Sequence, residues 1–355
     1  MSIHSTKLPG MKLFSFIALI ILFQGCSKAE VPGCDDSIAL CSLAPYPLGV
    51  AVSLNNLYSD QSYRNITIKQ FNSITAENVF KPEYLHPEPL FYNWAPADSL
   101  AGFCARNGKR LYGHTLIWHK QIPAWMIDFQ GNESDWEQMF KTHIQTIVSH
   151  YKGKVEAWDV VNEAFNEDGT LTDCIWLQHL GRDYIEKAFR FAREADPDAI
   201  LFYNDFNLES NSNKLSKVLD FLNELRNRGV PIDGIGLQMH ISIKSPSASQ
   251  IDETFREIAG QQYKIHVSEL DISVNPDGKD IDLTDYLLQK QADLLGNIVT
   301  SYNQVEEQFR YGITIWGITD KYSWLRSYFN REDYPLLYDD NYKPKPCYCR
   351  LKEVL

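Results

Sequence analysis

The stretch VEAWDVVNEAF, residues 155–165, begins as an apolar, β-branched run and finishes on an amide and a carboxylate, Asn162 and Glu163. Its valines and tryptophan read as a strand buried on both faces. Two polar groups at the end of such a strand are costly to bury. The arrangement makes sense where the strand emerges from a core into a site that uses them.

The same design recurs on both sides. Upstream lie GVAVS (49–53), SITAENVF (73–80) and RLYGHTLIW (110–118); downstream lie AILFYNDFN (199–207), GIGLQMH (234–240), KIHVSELDI (264–272) and YGITIWGIT (311–319). Amphipathic stretches separate them, among them 98–109, 135–153, 181–197 and 213–229, and several end on Gly or Pro as helix C-termini do. Eight β-rich runs alternating with helical patterns predict an α/β chain folded as a single-domain (β/α)8 TIM barrel. A doubly wound sheet would carry a G-x-G-x-x-G turn after its first strand, and GVAVSLNN has none.

In a parallel barrel the chemistry gathers at the C-terminal ends of the strands. Those ends hold Glu77 and Asn78 with Lys81 behind them, then His114 and Trp118 with Gln121. Next come Asn162 and Glu163, Asn204 and Asp205, Gln238 and His240, Glu269 and Asp271, and Trp316 with Trp324 beyond. One strand-end Asn is usually a cap and one Trp usually core, but seven polar ends out of eight exceed structural filler. No G-x-S-x-G elbow is present, Cys104 falls on a predicted helix, and no His or Cys has metal-ligand spacing, so neither metal nor cofactor is expected.

What remains is two strand-end glutamates among amides, imidazoles and tryptophans. Paired carboxyls are what glycoside hydrolysis needs, one to protonate the leaving oxygen and one to attack or to activate water. Tryptophan faces stack on sugar rings, and amides bond hydroxyls. Glu269 and Asp271 are two apart and share a strand face, so both reach the barrel mouth beside His240. Glu163 follows an apolar run, where desolvation favours the neutral acid.

Charge agrees with a neutral polymer. The chain carries 34 Lys and Arg against 46 Asp and Glu, a net −12, which argues against nucleic acid or an anionic membrane as partner. At the N-terminus, Lys12 precedes LFSFIALIILF (13–23), an 11-residue apolar core too short to span a bilayer and suited to a secretory signal. LFQGC resembles a bacterial lipoprotein signal, which implies residues 1–25 as signal peptide, lipid on Cys26, and residues 26–45 as a tether or arm. Export to the outer membrane or cell surface follows, with membrane contact through that anchor alone. An ordinary cleaved signal would instead leave the protein secreted or periplasmic. Seven cysteines do not make a disulfide scaffold, although Cys34 and Cys41 are placed to pair with each other.

The motifs FNSITAEN, GHTLIWHKQIPAW, WDVVNEAF, GIGLQMH, HVSELDI and ITIWGITDKYSW, in this order, resemble glycoside hydrolase family 10, the retaining endo-β-1,4-xylanases. The resemblance covers residues 46–355. It implies Glu163 as general acid/base, Glu269 as nucleophile, His240 and Asp271 as its support, and Asn162 as a partner of the sugar 2-hydroxyl. Glu77, Asn78, Lys81, His114, Trp118, Gln121 and Gln238 would line subsites on the non-reducing side, with Trp316 and Trp324 as aromatic walls. It also implies xylan as substrate and a monomeric enzyme. The chain departs from the family pattern at Pro82, where a Trp is common, and at Ser268, where Thr is common. Two other readings keep the cleft: a non-catalytic xylan-binding lipoprotein, which a lost carboxylate would favour, and a related barrel glycosidase acting on β-glucan or mannan.

Overall fold

The computed structural model describes residues 34–355, together with Met1, Ser2 and Ser5. The apolar core of the expected signal peptide, residues 13–23, and Cys26 lie outside the described residues. Eight parallel strands close on themselves: β1 (Leu48–Val52), β2 (Ser73–Ala76), β3 (Arg110–Ile117), β4 (Ala157–Asn162), β5 (Ile200–Asp205), β6 (Gly234–Leu237), β8 (Lys264–Ser273) and β9 (Arg310–Ile315). Each pairs with the next, β6 passes directly to β8, and β9 returns to β1. A three-residue strand, β7 (His240–Ser242), pairs with the far end of β8, His240 opposite Asp271.

All eight expected runs are strands, and the differences fall at their ends. The second run stops at Ala76 and the fourth at Asn162, where Glu163 takes a left-handed φ of 56°. The sixth run breaks at Met239, φ 57°, which sets His240 on its own short strand. Side chains rarely adopt this region, and each such residue costs of order 1–3 kcal/mol that the surrounding structure must offset.

The strands are buried along nearly their whole length, as β4 is at all six positions. Inside the barrel Tyr112, Ala157, Phe202 and Tyr311 form a floor, with His266 4.5 Å from Tyr112 ring to ring. Gly113 faces Trp158 across β3 and β4, and a Cβ there would come within 2.1 Å of the indole. Helices surround the sheet. Glu133–Tyr151 starts on a capping box of Asn132 and Asp135 and turns Trp136, Phe140, Ile144, Ile147 and Tyr151 inward at helical spacing.

The expected Cys34–Cys41 pairing does not occur. Cys34 is bonded to Cys349, 315 residues away, while Cys41 is free. The C-terminal helix Pro346–Val354 brings Cys349 to the arm with Cα atoms 5.6 Å apart, and Lys352 Nζ donates to the Asp35 carbonyl at 2.6 Å. Cys41 instead sits in a short 3-10 turn, its Sγ facing the Lys69 carbonyl. From Cys34 onward the arm is therefore joined to the barrel, with Leu40 fully buried and its N–H donating to Gln70 Oε1 at 2.9 Å.

Candidate active site

The polar strand ends surround a cleft of about 420 Å³. Lys81, His114, Trp118, Gln121, Asn162, Glu163, Gln238, His240, Glu269, Trp316 and Trp324 line it. Backbone bonds between neighbouring strand ends bring them together: Glu163 N–H donates to the Asn204 carbonyl, Gln238 to that of Asp205, and Glu269 to that of Gln238.

Glu269 is 4% exposed and lies among donors. Asn204 Nδ2 donates to its Oε1 at 2.8 Å, His240 Nε2 is 3.2 Å from Oε2, and His114 Nδ1 is 3.8 Å from Oε1. Burial alone would push this carboxyl up. The imidazoles of His114 and His240 and the bonds from His240 and Asn204 outweigh it and hold the group at about 2. His240 is held in turn by Asp271, whose Oδ2 accepts from Nδ1 at 3.0 Å and from Trp324 Nε1 at 2.7 Å. Burial opposes the imidazolium, but Asp271 and Glu269 raise it to about 10. The shared strand face expected for Glu269 and Asp271 is the one that meets His240. His114 has its own buried support, with Nδ1 2.8 Å from Asp159 Oδ2.

Glu163 is 7% exposed but has a different environment. Its Oε1 accepts from Gln238 Nε2 at 3.0 Å and from Asn162 Nδ2 at 3.4 Å, whereas Lys120 Nζ stands 3.2 Å from Oε2. The left-handed turn at Glu163 ends strand geometry at this residue, so its side chain leaves the alternation of β4 at the cleft.

Amides connect the two carboxylates. Asn162 Oδ1 accepts from Gln238 Nε2 at 3.2 Å and from Asn204 Nδ2 at 2.8 Å, and the same Asn204 nitrogen reaches Glu269. Ser268 donates to Asn204 Oδ1 at 2.6 Å, so the hydroxyl at the position where Thr is common fixes this amide.

Around this pair, Lys81 Nζ and Lys120 Nζ stand 5.2 and 5.5 Å from the Trp118 ring centre. Trp316 meets His114 and His240 edge-on, and Trp324 meets His240 at 4.8 Å. Glu77, Asn78 and Asp271 do not line the cleft. Asn78 Oδ1 accepts from Lys81 at 3.2 Å, and Glu77, raised to about 7 by burial against the pull of Lys81, belongs to the same group behind it.

Sequence reasoning missed Lys120, Phe206, Asn207, Tyr328 and Phe329, which also line the cleft. Phe206 and Asn207 end the fifth expected run, so a side-chain reading of its last two residues would have found them. Lys120 lies inside a quoted motif and is the only cation between Trp118 and Gln121. Tyr328 and Phe329 lie in the helix Trp324–Phe329, away from the strand ends where polar residues marked the site. Asn204 and Ser268 were noted only as a strand end and a departure, yet they position Glu269.

Comparison with known proteins agrees with this geometry. The family model for Glycosyl hydrolase family 10 matches residues 40–354. Endo-1,4-beta-xylanase B of Thermotoga neapolitana is 35% identical over 345 residues, 95% of this chain and 96% of its own. Beta-1,4-xylanase of Dictyoglomus thermophilum is 37% identical over 353 residues, 94% of this chain and 97% of its own. Among solved structures, native xylanase 10B from Thermotoga maritima superposes with a TM-score of 0.83 at 37% identity, covering 89% of this chain and 98% of that one. Xylanase 10C from Cellvibrio japonicus in complex with xylopentaose gives 0.86 at 33% identity, covering 89% of this chain and 69% of that one. A closed barrel, two strand-end glutamates in one cleft, and matches that run nearly end to end lead to one conclusion: the chain belongs to glycosyl hydrolase family 10.

Proposed function

We propose that the protein hydrolyses internal β-1,4-xylosidic bonds of xylan with net retention, Glu269 acting as nucleophile and Glu163 as acid/base. The observation that carries the division of roles is the unequal surroundings of the two carboxyls. Glu269 sits between imidazoles that keep it anionic, as a nucleophile must be. Glu163 is held instead by two amides and one half-exposed ammonium.

In the first step a Glu269 oxygen bonds to the anomeric carbon as the bond to the leaving oxygen breaks, and Glu163 gives that oxygen its proton. In the second step Glu163 takes a proton from water, the water oxygen bonds to the anomeric carbon, and Glu269 departs as carboxylate. Asn162, held by two neighbouring amides, bonds the 2-hydroxyl of the sugar being cleaved. Trp316 and Trp324 wall that sugar, which suits a pentose without a hydroxymethyl arm. Retention by this route needs the two carboxyls about 5–5.5 Å apart. No specific observation favours the non-catalytic reading or the glucan and mannan readings.

The test is the pair Glu269→Ala and Glu163→Ala assayed on xylan and on an activated xyloside, with and without azide. Glu163→Ala should retain glycosylation of activated substrate and be rescued by azide to give the β-azide, because the anion needs no base. Glu269→Ala should lack that β-product. Equal behaviour of the two variants would overturn the assignment.

We further propose that the chain is exported, lipidated on Cys26 and monomeric. A positively charged start and an 11-residue apolar core support export. The Cys34–Cys349 bond supports an oxidising compartment. Detergent partitioning of wild type and Cys26→Ser tests the anchor: the wild type should enter the detergent phase and the variant should not. Sedimentation tests the monomer.

A further inference from the structure

Of the groups that hold Glu269 ionised, His114 pulls hardest, and what holds His114 lies deeper in the barrel. Tyr112 and His114 are two apart on β3 and share a strand face, as do Ala157 and Asp159 opposite them on β4. Asp159 is buried and divides its carboxylate between two partners: Oδ2 faces His114 Nδ1 at 2.8 Å, and Oδ1 accepts the Tyr112 hydroxyl. His114 Nδ1 in turn stands 3.8 Å from Glu269 Oε1. A residue of the barrel floor is thereby joined to the carboxylate in the cleft. Burial and the Asp159 charge hold the Tyr112 phenol well above its usual range, so it stays a donor.

Asp159 needs that donor. Burial pushes its carboxyl up, and the charge of Glu269 adds to this, while the bond and charge of His114 and the Tyr112 hydroxyl oppose it. Arg110 on β3, His266 on β8 and Tyr311 on β9 also face Tyr112, and Lys81 and His240 face Glu269. Among the described residues, only Tyr112 and His114 bond the Asp159 carboxylate. When ionised, Asp159 favours positive charge on His114, and that charge keeps Glu269 ionised. We propose that Tyr112 is a positioning residue of the reaction, its hydroxyl fixing the Asp159 carboxylate that sets His114 against Glu269. The proposal rests on the reading of Glu269 as nucleophile.

The experiment measures kcat/KM on a xylo-oligosaccharide across pH for wild type, Tyr112→Phe and Tyr311→Phe, with circular dichroism to follow the fold. Tyr112→Phe removes one oxygen and keeps the ring. Its acid limb should lie about one pH unit above that of wild type, the scale of one lost bond to a charged group. Toward neutral pH the two should converge. Tyr311→Phe takes the same atom from the same floor without touching the Asp159 carboxylate, and its acid limb should match wild type. An equal fractional loss at every pH in Tyr112→Phe, or the same limb movement in Tyr311→Phe, would mean that Tyr112 only fills the floor and would overturn the proposal. Should Tyr112→Phe not fold, Asp159→Asn decides: it removes the charge that the hydroxyl serves, and a wild-type acid limb in that variant would overturn the proposal by itself. Wild type inactive at every pH would remove the xylanase reading, a result distinct from an unmoved acid limb.

Discussion

Gly236 makes room for Asn204. A Cβ built on Gly236 would lie 2.2 Å from Asn204 Oδ1, the amide whose nitrogen reaches both Asn162 and Glu269 at 2.8 Å. A glycine in a buried strand is otherwise a weakness, so its presence on β6 ties the backbone to the chemistry. Gly236→Ala should leave the barrel folded but displace Asn204, lowering kcat on xylan by about a hundredfold, the cost of a misplacement near 1 Å. Circular dichroism with steady-state kinetics checks this. Unchanged kcat would mean that Asn204 does not position Glu269.

The His240–Glu269 pair makes a prediction with a definite sign. His240 in the folded protein is raised from 6.5 to about 10, so its contribution is complete below 6.5 and is lost as pH rises through 10. Glu269 is lowered from 4.5 to about 2, so its contribution is complete above 4.5 and is lost as pH falls toward 2. The pair is therefore fully stabilising between these two ordinary values. The difference in Tm between wild type and His240→Gln should be widest from pH 4.5 to 6.5 and close toward pH 10. A difference independent of pH would contradict the charge assignment.

Behind the cleft, Lys214 and Asp205 form an ion pair at 2.9 Å with both side chains fully buried. Lys214 Nζ also bonds the Phe206 carbonyl and sits 3.9 Å from that ring, so the pair supports a cleft wall. Lys214→Met leaves the buried Asp205 without its cation, with only the Tyr203 hydroxyl and the Phe206 N–H still donating to it, and should cost about 3–5 kcal/mol. The double variant Lys214→Met, Asp205→Leu should cost much less, since neither charge remains to be buried unpaired. Urea denaturation of the three proteins checks this, and additive effects would refute the coupling.

Much of this architecture was legible because the strands are apolar and the exceptions sit at their ends. WDVVNEAF reads as strand up to Asn162, and Glu163 is recognisable as the polar residue that emerges. Its left-handed backbone is not readable in that way, because tertiary packing imposes it on a residue with no preference for it. The break at Met239 has the same origin. Lys120 lies on a loop beyond its strand, and Tyr328 and Phe329 end a helix of 6 residues, too short to show a period. The Cys34–Cys349 pairing was hidden for a different reason: proximity in sequence favoured Cys41, and only the docking of the last helix brings Cys349 near.

That disulfide fastens the arm to the C-terminal helix, away from the cleft lining. Reduction, or Cys349→Ser, should lower Tm by several degrees, in the range of about 2–4 kcal/mol for a long closed loop. The value of kcat on xylan at 25 °C should be unchanged. Peptide mapping under non-reducing conditions should recover Cys34 joined to Cys349 with Cys41 free. A Cys34–Cys41 peptide would refute the clasp.

The central claim is that Glu269, held ionised between two imidazoles, attacks the sugar while Glu163 handles the proton. Labelling with a 2-deoxy-2-fluoro xylobioside bearing a good leaving group, followed by mass spectrometry of the digested protein, tests it most directly. The slowed second step should trap one glycosyl group per chain as an ester on the peptide containing Glu269. A label on Glu163, or rapid turnover of the probe with inversion and no trapped ester, would contradict it.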